Sequence, residues 1–208
     1  IRRQRQMCIR DRYNLQQDDV VVVTEMEHHA DIVPWQELNK EKGVEVRYVP
    51  INSTTFTLDM EAFEVALEGA KLVCVVHTSN VLGIRNPVEE IIEKSQAVGA
   101  RVLLDCAQSA PHERIFFDNM GADFIAISAH KMAGPTGIGC VLVKPDAMAE
   151  MGPFMTGGSI IRRVSTEGTT FQEGHAMFET GTPRIAEAIG WGAAVEWLSQ
   201  FDMREVHA

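Results

Sequence analysis

The sequence predicts an α/β fold, a mostly parallel sheet flanked by helices. Three observations carry that expectation. Apolar runs of strand length recur along the chain, segments of helical period separate them, and polar residues able to do chemistry fall just after the runs end. With 208 residues, 45% of them hydrophobic, the chain is long enough to bury a sizeable core in one large domain.

The elements follow in order. "DDVVVVTEMEHHA" (18–30) is a continuous valine run closed by polar residues, the pattern of a strand buried on both faces. "DIVPWQELNKEKG" (31–43) supplies a helix that ends at a glycine, and "VEVRYVPI" (44–51) returns as a strand. "LDMEAFEVALEG" sets Met60, Phe63, Val65, Ala66 and Leu67 at largely helical spacing, and "KLVCVVHTSN" is the next strand. In "NPVEEIIEKSQAVGA", Asn86 is placed to cap a helix with Pro87 in its first turn, Glu89 as the reciprocal capping-box acceptor and Gly99 as the stop. The strands "RVLLDCAQ", "DFIAISAHK" and "GIGCVLVKP" come next, and "RIAEAIGWGAAVEWLSQF" (184–201) reads as a final helix. The glycine-rich stretch 151–171 reads as a long functional loop.

The ends differ from the rest. "IRRQRQMCIRDR" holds five arginines against one aspartate, with no hydrophobic periodicity, so residues 1–12 are set aside as non-native or as a disordered basic arm. Residues 13–208 form the predicted domain. The formal charge of -10 opposes the basic footprint of a nucleic-acid binder. No apolar stretch reaches the roughly 18 residues of a spanning helix and no secretory leader is visible, so no membrane association and a cytoplasmic location are expected. Cys8, Cys74, Cys106 and Cys140 form no CxxC pair, and no metal site is expected. Cys74 and Cys140 lie in apolar segments and read as small buried thiols.

In a parallel sheet the carboxyl ends of the strands share one edge, where ligands bind. His28, Asn80, Asp105, Gln108, Ser128, His130 and Lys131 all follow strands, so residues far apart in sequence converge there. A partly desolvated lysine amine favours its neutral form and can condense with an aldehyde. Pyridoxal phosphate is the common biological aldehyde for that purpose, and it also requires an acid that keeps its ring nitrogen protonated. Lys131 and Asp105 have the residue types for those two roles. Each also has an ordinary alternative: Lys131 a solvated strand-end cation, Asp105 a cap on the next segment, His28 a hydrogen-bonded strand-end histidine.

"EHHADIVPWQEL", "HTSNVLG", "VLLDCAQS", "SAHKMAGPTGIG" and "FETGTPR" occur in that order, and together they resemble the successive motifs of class V aminotransferase-fold enzymes, specifically the cysteine desulfurases of the SUF iron-sulfur assembly system. The resemblance spans roughly residues 18 to 200. It implies the large domain of a fold-type I pyridoxal phosphate enzyme. Lys131 would bind the cofactor covalently and serve as a base, Asp105 would pair with the ring nitrogen, and His28 would stack on the ring. Gln108 and Asn80 would lie at the ring oxygen, Ser128 and His130 at the phosphate, and Thr182 would reach the phosphate of the neighbouring subunit in a homodimer. The implied reaction takes L-cysteine to L-alanine, with sulfur passing as a persulfide to an acceptor protein. Two departures stand out: "DCAQ" where the family has "DGAQ", placing Cys106 where it could crowd the ring, and "GTPR" for the frequent "GTPN". The family's nucleophilic cysteine and substrate-carboxylate arginine lie in a C-terminal small domain, and neither is matched here, so the chain reads as an inactive fragment of such an enzyme. The alternatives are another class V enzyme, such as a selenocysteine lyase or an epimerase, and a non-catalytic α/β binding or assembly domain.

Overall fold

A computed structural model describes residues 9, 10 and 13–206. Six strands form one sheet: β1 (Val20–Thr24), β2 (Glu45–Val49), β3 (Ala70–Val76), β4 (Arg101–Asp105), β5 (Phe124–Ser128) and β6 (Gly139–Val143). Their spatial order is β2-β1-β3-β4-β5-β6, parallel throughout except for β6, which runs antiparallel to β5. Every residue of β1, β4 and β5 except Arg101 is buried, as expected of strands covered on both faces. The sheet's edge strands β2 and β6 are the more exposed ones.

The valine run of β1 shows how the layers divide. Val20 and Val22 join a core with Phe63, Val73, Val75, Ile91 and Leu104, beneath helices α2 (Met60–Ala66) and α3 (Val88–Ala97). Val21 and Val23 join Trp35, Leu38, Leu72, Leu103 and Phe124 on the opposite face, under α1 (His29–Lys42). Alternate residues of one strand therefore feed two cores, because successive side chains point to opposite faces. Of the segment read as non-native or disordered, residues 1–8, 11 and 12 lie outside the described residues. Ile9 is buried in the second core, and Arg10 pairs with Glu41 at 2.5 Å, so packing of the domain starts ahead of residue 13.

Local sequence explains most helix ends. Asp59 caps α2 by accepting from the backbone N–H groups of Glu61 and Ala62, and Gly43 closes α1 in the left-handed conformation with its N–H on the Asn39 carbonyl. Helix α3 departs from its expected cap. Asn86 turns away and donates its amide to the Val76 carbonyl at 2.7 Å, while Glu89 accepts from Arg85 at 3.0 Å. A buried carbonyl at the end of β3 competes for the amide and wins it, which ties the start of α3 to the sheet. Val65, read as part of the apolar face of α2, is 75% exposed.

Beyond the sheet come α4 (Phe117–Met120), α5 (Pro145–Ala149), the hairpin β7 (Ile161–Ser165) and β8 (Gly168–Phe171), α6 (Ile185–Leu198) and α7 (Met203–Val206). The hairpin corrects the reading of 151–171 as an irregular loop: Ser165 and Gly168 pair across its turn. Helix α6 has the expected extent but contributes no buried residue; Ile189 is 70% exposed. Among the described residues, no helix is long and apolar enough to cross a membrane.

The amino end of β4 is fixed by charge. The Arg101 guanidinium meets Asp123 at 2.9 Å, Asp146 at 2.7 Å and Glu150 at 2.6 Å, joining β4 to the start of β5 and to α5. Asp123 is 3% exposed and also accepts from the Val102 N–H. Arg101→Ala leaves that buried carboxylate to the Val102 N–H and the Lys144 ammonium, 3.8 Å away, and should destabilise the fold by about 2 kcal/mol, read as a lower denaturant midpoint with unchanged slope.

Candidate active site

The carboxyl ends of β3, β4 and β5 lie side by side. Val76 is the register partner of Asp105, and Asp105 that of Ala126. Asp105 is therefore the last residue of β4, fully buried, and two residues past its partner β5 ends at Ser128. A single 3-10 turn, Ala129–Lys131, then brings Lys131 to a part-buried position at the same edge. The Ala129 carbonyl accepts from the N–H groups of both Met132 and Gly134, which pins this turn. His130 within it is exposed. Ser128 is 1% exposed and its hydroxyl has no hydrogen-bond partner, an unusual state for a buried polar group and one that a bound acceptor would relieve.

Asp105 does hold the next segment, as its alternative reading expected, since its Oδ1 accepts from the Ala107 N–H at 2.9 Å. That segment is a chain of turns to Glu113 and not a helix, with Gln108 part-buried in it. Cys106 points into the core beneath α2 and α3. Burial pushes its thiol up to about 12, and burial likewise raises the Cys74 thiol, so neither is a thiolate near neutral pH. Cys140 sits part-buried on the open strand β6.

His28 caps α1. Its Nδ1 accepts from the Ala30 N–H at 3.0 Å, which places the proton of the neutral ring on Nε2 and fixes the plane of the imidazole. Asn80 is exposed in a tight loop between β3 and α3. The Ser79 hydroxyl accepts from the N–H groups of Val81 and Leu82, and the base of the loop is closed by Asn86 N–H on the His77 carbonyl and His77 N–H on the Asp105 carbonyl. Thr182 is exposed ahead of α6; hydrogen bonds of its neighbours Thr180 and Gly181 run to Met155, Gly158 and Ser159. His28, Asn80, Asp105, Gln108, Ser128, His130 and Lys131 thus all lie at or just beyond the carboxyl ends of the neighbouring strands β1, β3, β4 and β5, while Thr182 belongs to a separate segment.

The turn carrying Lys131 is backed by α6. A methyl group at Gly134 would come within 2.9 Å of both the Ala129 carbonyl oxygen and Trp191 Cδ1, and the first of these is backbone that cannot swing away. Gly134→Ala should lower stability by about 1–3 kcal/mol and shift the turn, checked by thermal melting and by cofactor affinity.

Two buried groups at this edge were not singled out in the sequence. Glu27 precedes His28, is 7% exposed, and accepts from the Thr24 hydroxyl at 2.7 Å and the Val76 N–H at 2.8 Å. His77 is fully buried, with Nε2 accepting from Arg85 Nε at 3.3 Å and Nδ1 lying 3.2 Å from Glu113; burial holds it neutral. The available signal was position: each directly follows, or nearly follows, a largely buried strand.

The family model Aminotransferase class-V matches residues 6–208. A cysteine desulfurase of Haloferax volcanii is 46% identical over 191 residues, 91% of this chain and 45% of that protein. One from Enterobacter sp. is 45% identical over 183 residues, 87% of this chain and 45% of that protein. Among solved structures, the cysteine desulfurase CsdA of Escherichia coli, in an S-sulfonic acid form, superposes with a TM-score of 0.92 at 32% identity, covering 97% of this chain and 51% of that one. The apo cysteine desulfurase of Thermococcus onnurineus gives 0.92 at 33% identity, with the same coverages. The chain spans about half the length of the relatives it matches.

Proposed function

The chain belongs to the aminotransferase class-V family, and we propose that it is the cofactor-holding part of a pyridoxal phosphate-dependent cysteine desulfurase. The whole protein would convert L-cysteine to L-alanine and pass sulfur as a persulfide to an acceptor protein for iron-sulfur cluster assembly, as a cytoplasmic homodimer. One observation carries this proposal: Asp105 and Lys131 leave adjacent strands at the same sheet edge, with Ser128 between them in the chain.

The residues fit the cofactor. The Ser128 hydroxyl, buried without a partner, would serve the phosphate together with His130, and Thr182 would serve that of the neighbouring subunit. Bound there, pyridoxal phosphate supplies an aldehyde for an amine to condense with and a ring that accepts electrons from the substrate carbon. Lys131 Nζ would hold it and, once released, take the α proton of L-cysteine. Asp105 would keep a proton on the ring nitrogen, His28 would cover the ring face, and Gln108 and Asn80 would orient the ring oxygen and substrate. Neither Cys74 nor Cys106 suits the sulfur-accepting thiolate, because burial keeps both thiols protonated. By the resemblance, the nucleophile would belong to the family's C-terminal small domain, since none of Cys8, Cys74, Cys106 and Cys140 lies in the matching motif.

The test is production of alanine and sulfide from L-cysteine by purified full-length protein with reductant. Absence of alanine, or a borohydride-trapped cofactor on a residue other than Lys131, overturns the proposal.

A further inference from the structure

The buried carboxyl of Glu27 has no part in the chemistry above, yet it sits at the centre of the strand ends. Its Oε1 takes two donors from two strands, the Thr24 hydroxyl of β1 and the Val76 N–H of β3. Val76 is the register partner of Asp105, so the Glu27 carboxyl lies level with the residue read as the partner of the ring nitrogen. Its other oxygen, Oε2, is buried with no hydrogen-bond partner. The next residue is His28, whose ring is oriented by its own cap on α1.

We propose that Glu27 is a positioning residue that clamps the His28 turn to the end of β3 and so fixes the imidazole relative to Asp105. This rests on the desulfurase reading for its consequence and on geometry for its existence. The ionisable groups facing Glu27 are Asp31 of α1, Asp105 of β4 and the Cys74 thiol of β3. All three are acidic or neutral, and an ionised Glu27 would add a third carboxylate to a buried site. Burial first, then Asp31 and Asp105, raises its carboxyl well above the usual carboxylate range, against the opposing pull of its two hydrogen bonds.

Glutamine keeps the accepting oxygen and removes the acid, so it separates clamp from charge; alanine removes both. The sign of the linkage is fixed by the direction of the shift. A raised carboxyl contributes stability that is fully present below its unfolded value, near 4.3, and is lost as pH rises toward and through its folded value. Glu27→Gln is free of that loss. In the cofactor-free protein its melting temperature should therefore rise relative to the parent by about 4 °C or more between pH 5 and pH 8. Glu27→Ala leaves the Val76 N–H without its acceptor and should weaken pyridoxal phosphate binding about tenfold, while Glu27→Gln stays within about threefold of the parent. A melting difference that is flat from pH 5 to 8, or equal losses of affinity in the two variants, overturns the clamp. A parent protein that binds no pyridoxal phosphate defeats the desulfurase reading, and the cofactor-free melting series then decides on Glu27 alone.

Discussion

Lys131→Ala removes borohydride-stable attachment of pyridoxal phosphate and lowers L-cysteine turnover by at least about a thousandfold. The size of the effect follows from two roles in one atom, since Nζ would both hold the cofactor and move the substrate's α proton. Lys131→Arg separates charge from chemistry. A guanidinium keeps the positive charge but stays protonated and is a poor nucleophile, so the arginine variant should be as inactive as the alanine one. Neither change should unfold the protein. The turn is pinned by backbone, through the Ala129 carbonyl, which accepts from the N–H groups of Met132 and Gly134. Melting temperatures within a few degrees of the parent, alongside lost attachment, are the expected pair of results. A variant that retains covalent cofactor would place the reactive amine elsewhere.

The parts of this site that were legible in the sequence are those governed by local rules. A run such as Val20–Val23 can be buried on both faces only inside a sheet, and the residue after such a strand is delivered to its edge. Asp105 and Ser128 close such strands, and His28 and Lys131 follow shortly after them, so their placement at the edge is legible in that way. What escaped depends on contacts between distant segments. Asn86 looks like a helix cap in its own sequence, but its amide goes to the Val76 carbonyl, a partner supplied by another strand. Glu27 bonds a backbone N–H 49 residues away, so nothing beside it announces that its carboxyl is buried. The β7–β8 hairpin was hidden for a different reason: Arg162, Arg163, Val164 and Ser165 are all exposed, so no alternating apolar face exists to be read.

Asp105→Asn is the sharpest test of the charge on which the proposed function relies. Asparagine retains an oxygen in the position that accepts the Ala107 N–H, so the turns beyond β4 should persist and the melting temperature should change little. What it cannot retain is the negative charge that, in the proposed function, would face the ring nitrogen. L-cysteine turnover should fall about a hundredfold to a thousandfold while cofactor affinity falls by no more than about tenfold. Asp105→Ala would lose the charge and also leave a buried N–H unsatisfied, costing about 1–3 kcal/mol of stability besides the activity. The contrast assigns the lost turnover to charge if asparagine and alanine are equally slow but differ in stability. It assigns it to structure if asparagine is nearly as active as the parent. Asp105 also raises the Glu27 carboxyl, so removing its charge should lower the pH at which Glu27 ionises. In the asparagine background, the melting advantage of Glu27→Gln over pH 5 to 8 should therefore shrink, because two carboxylates that oppose each other in one buried site cannot both be tuned independently.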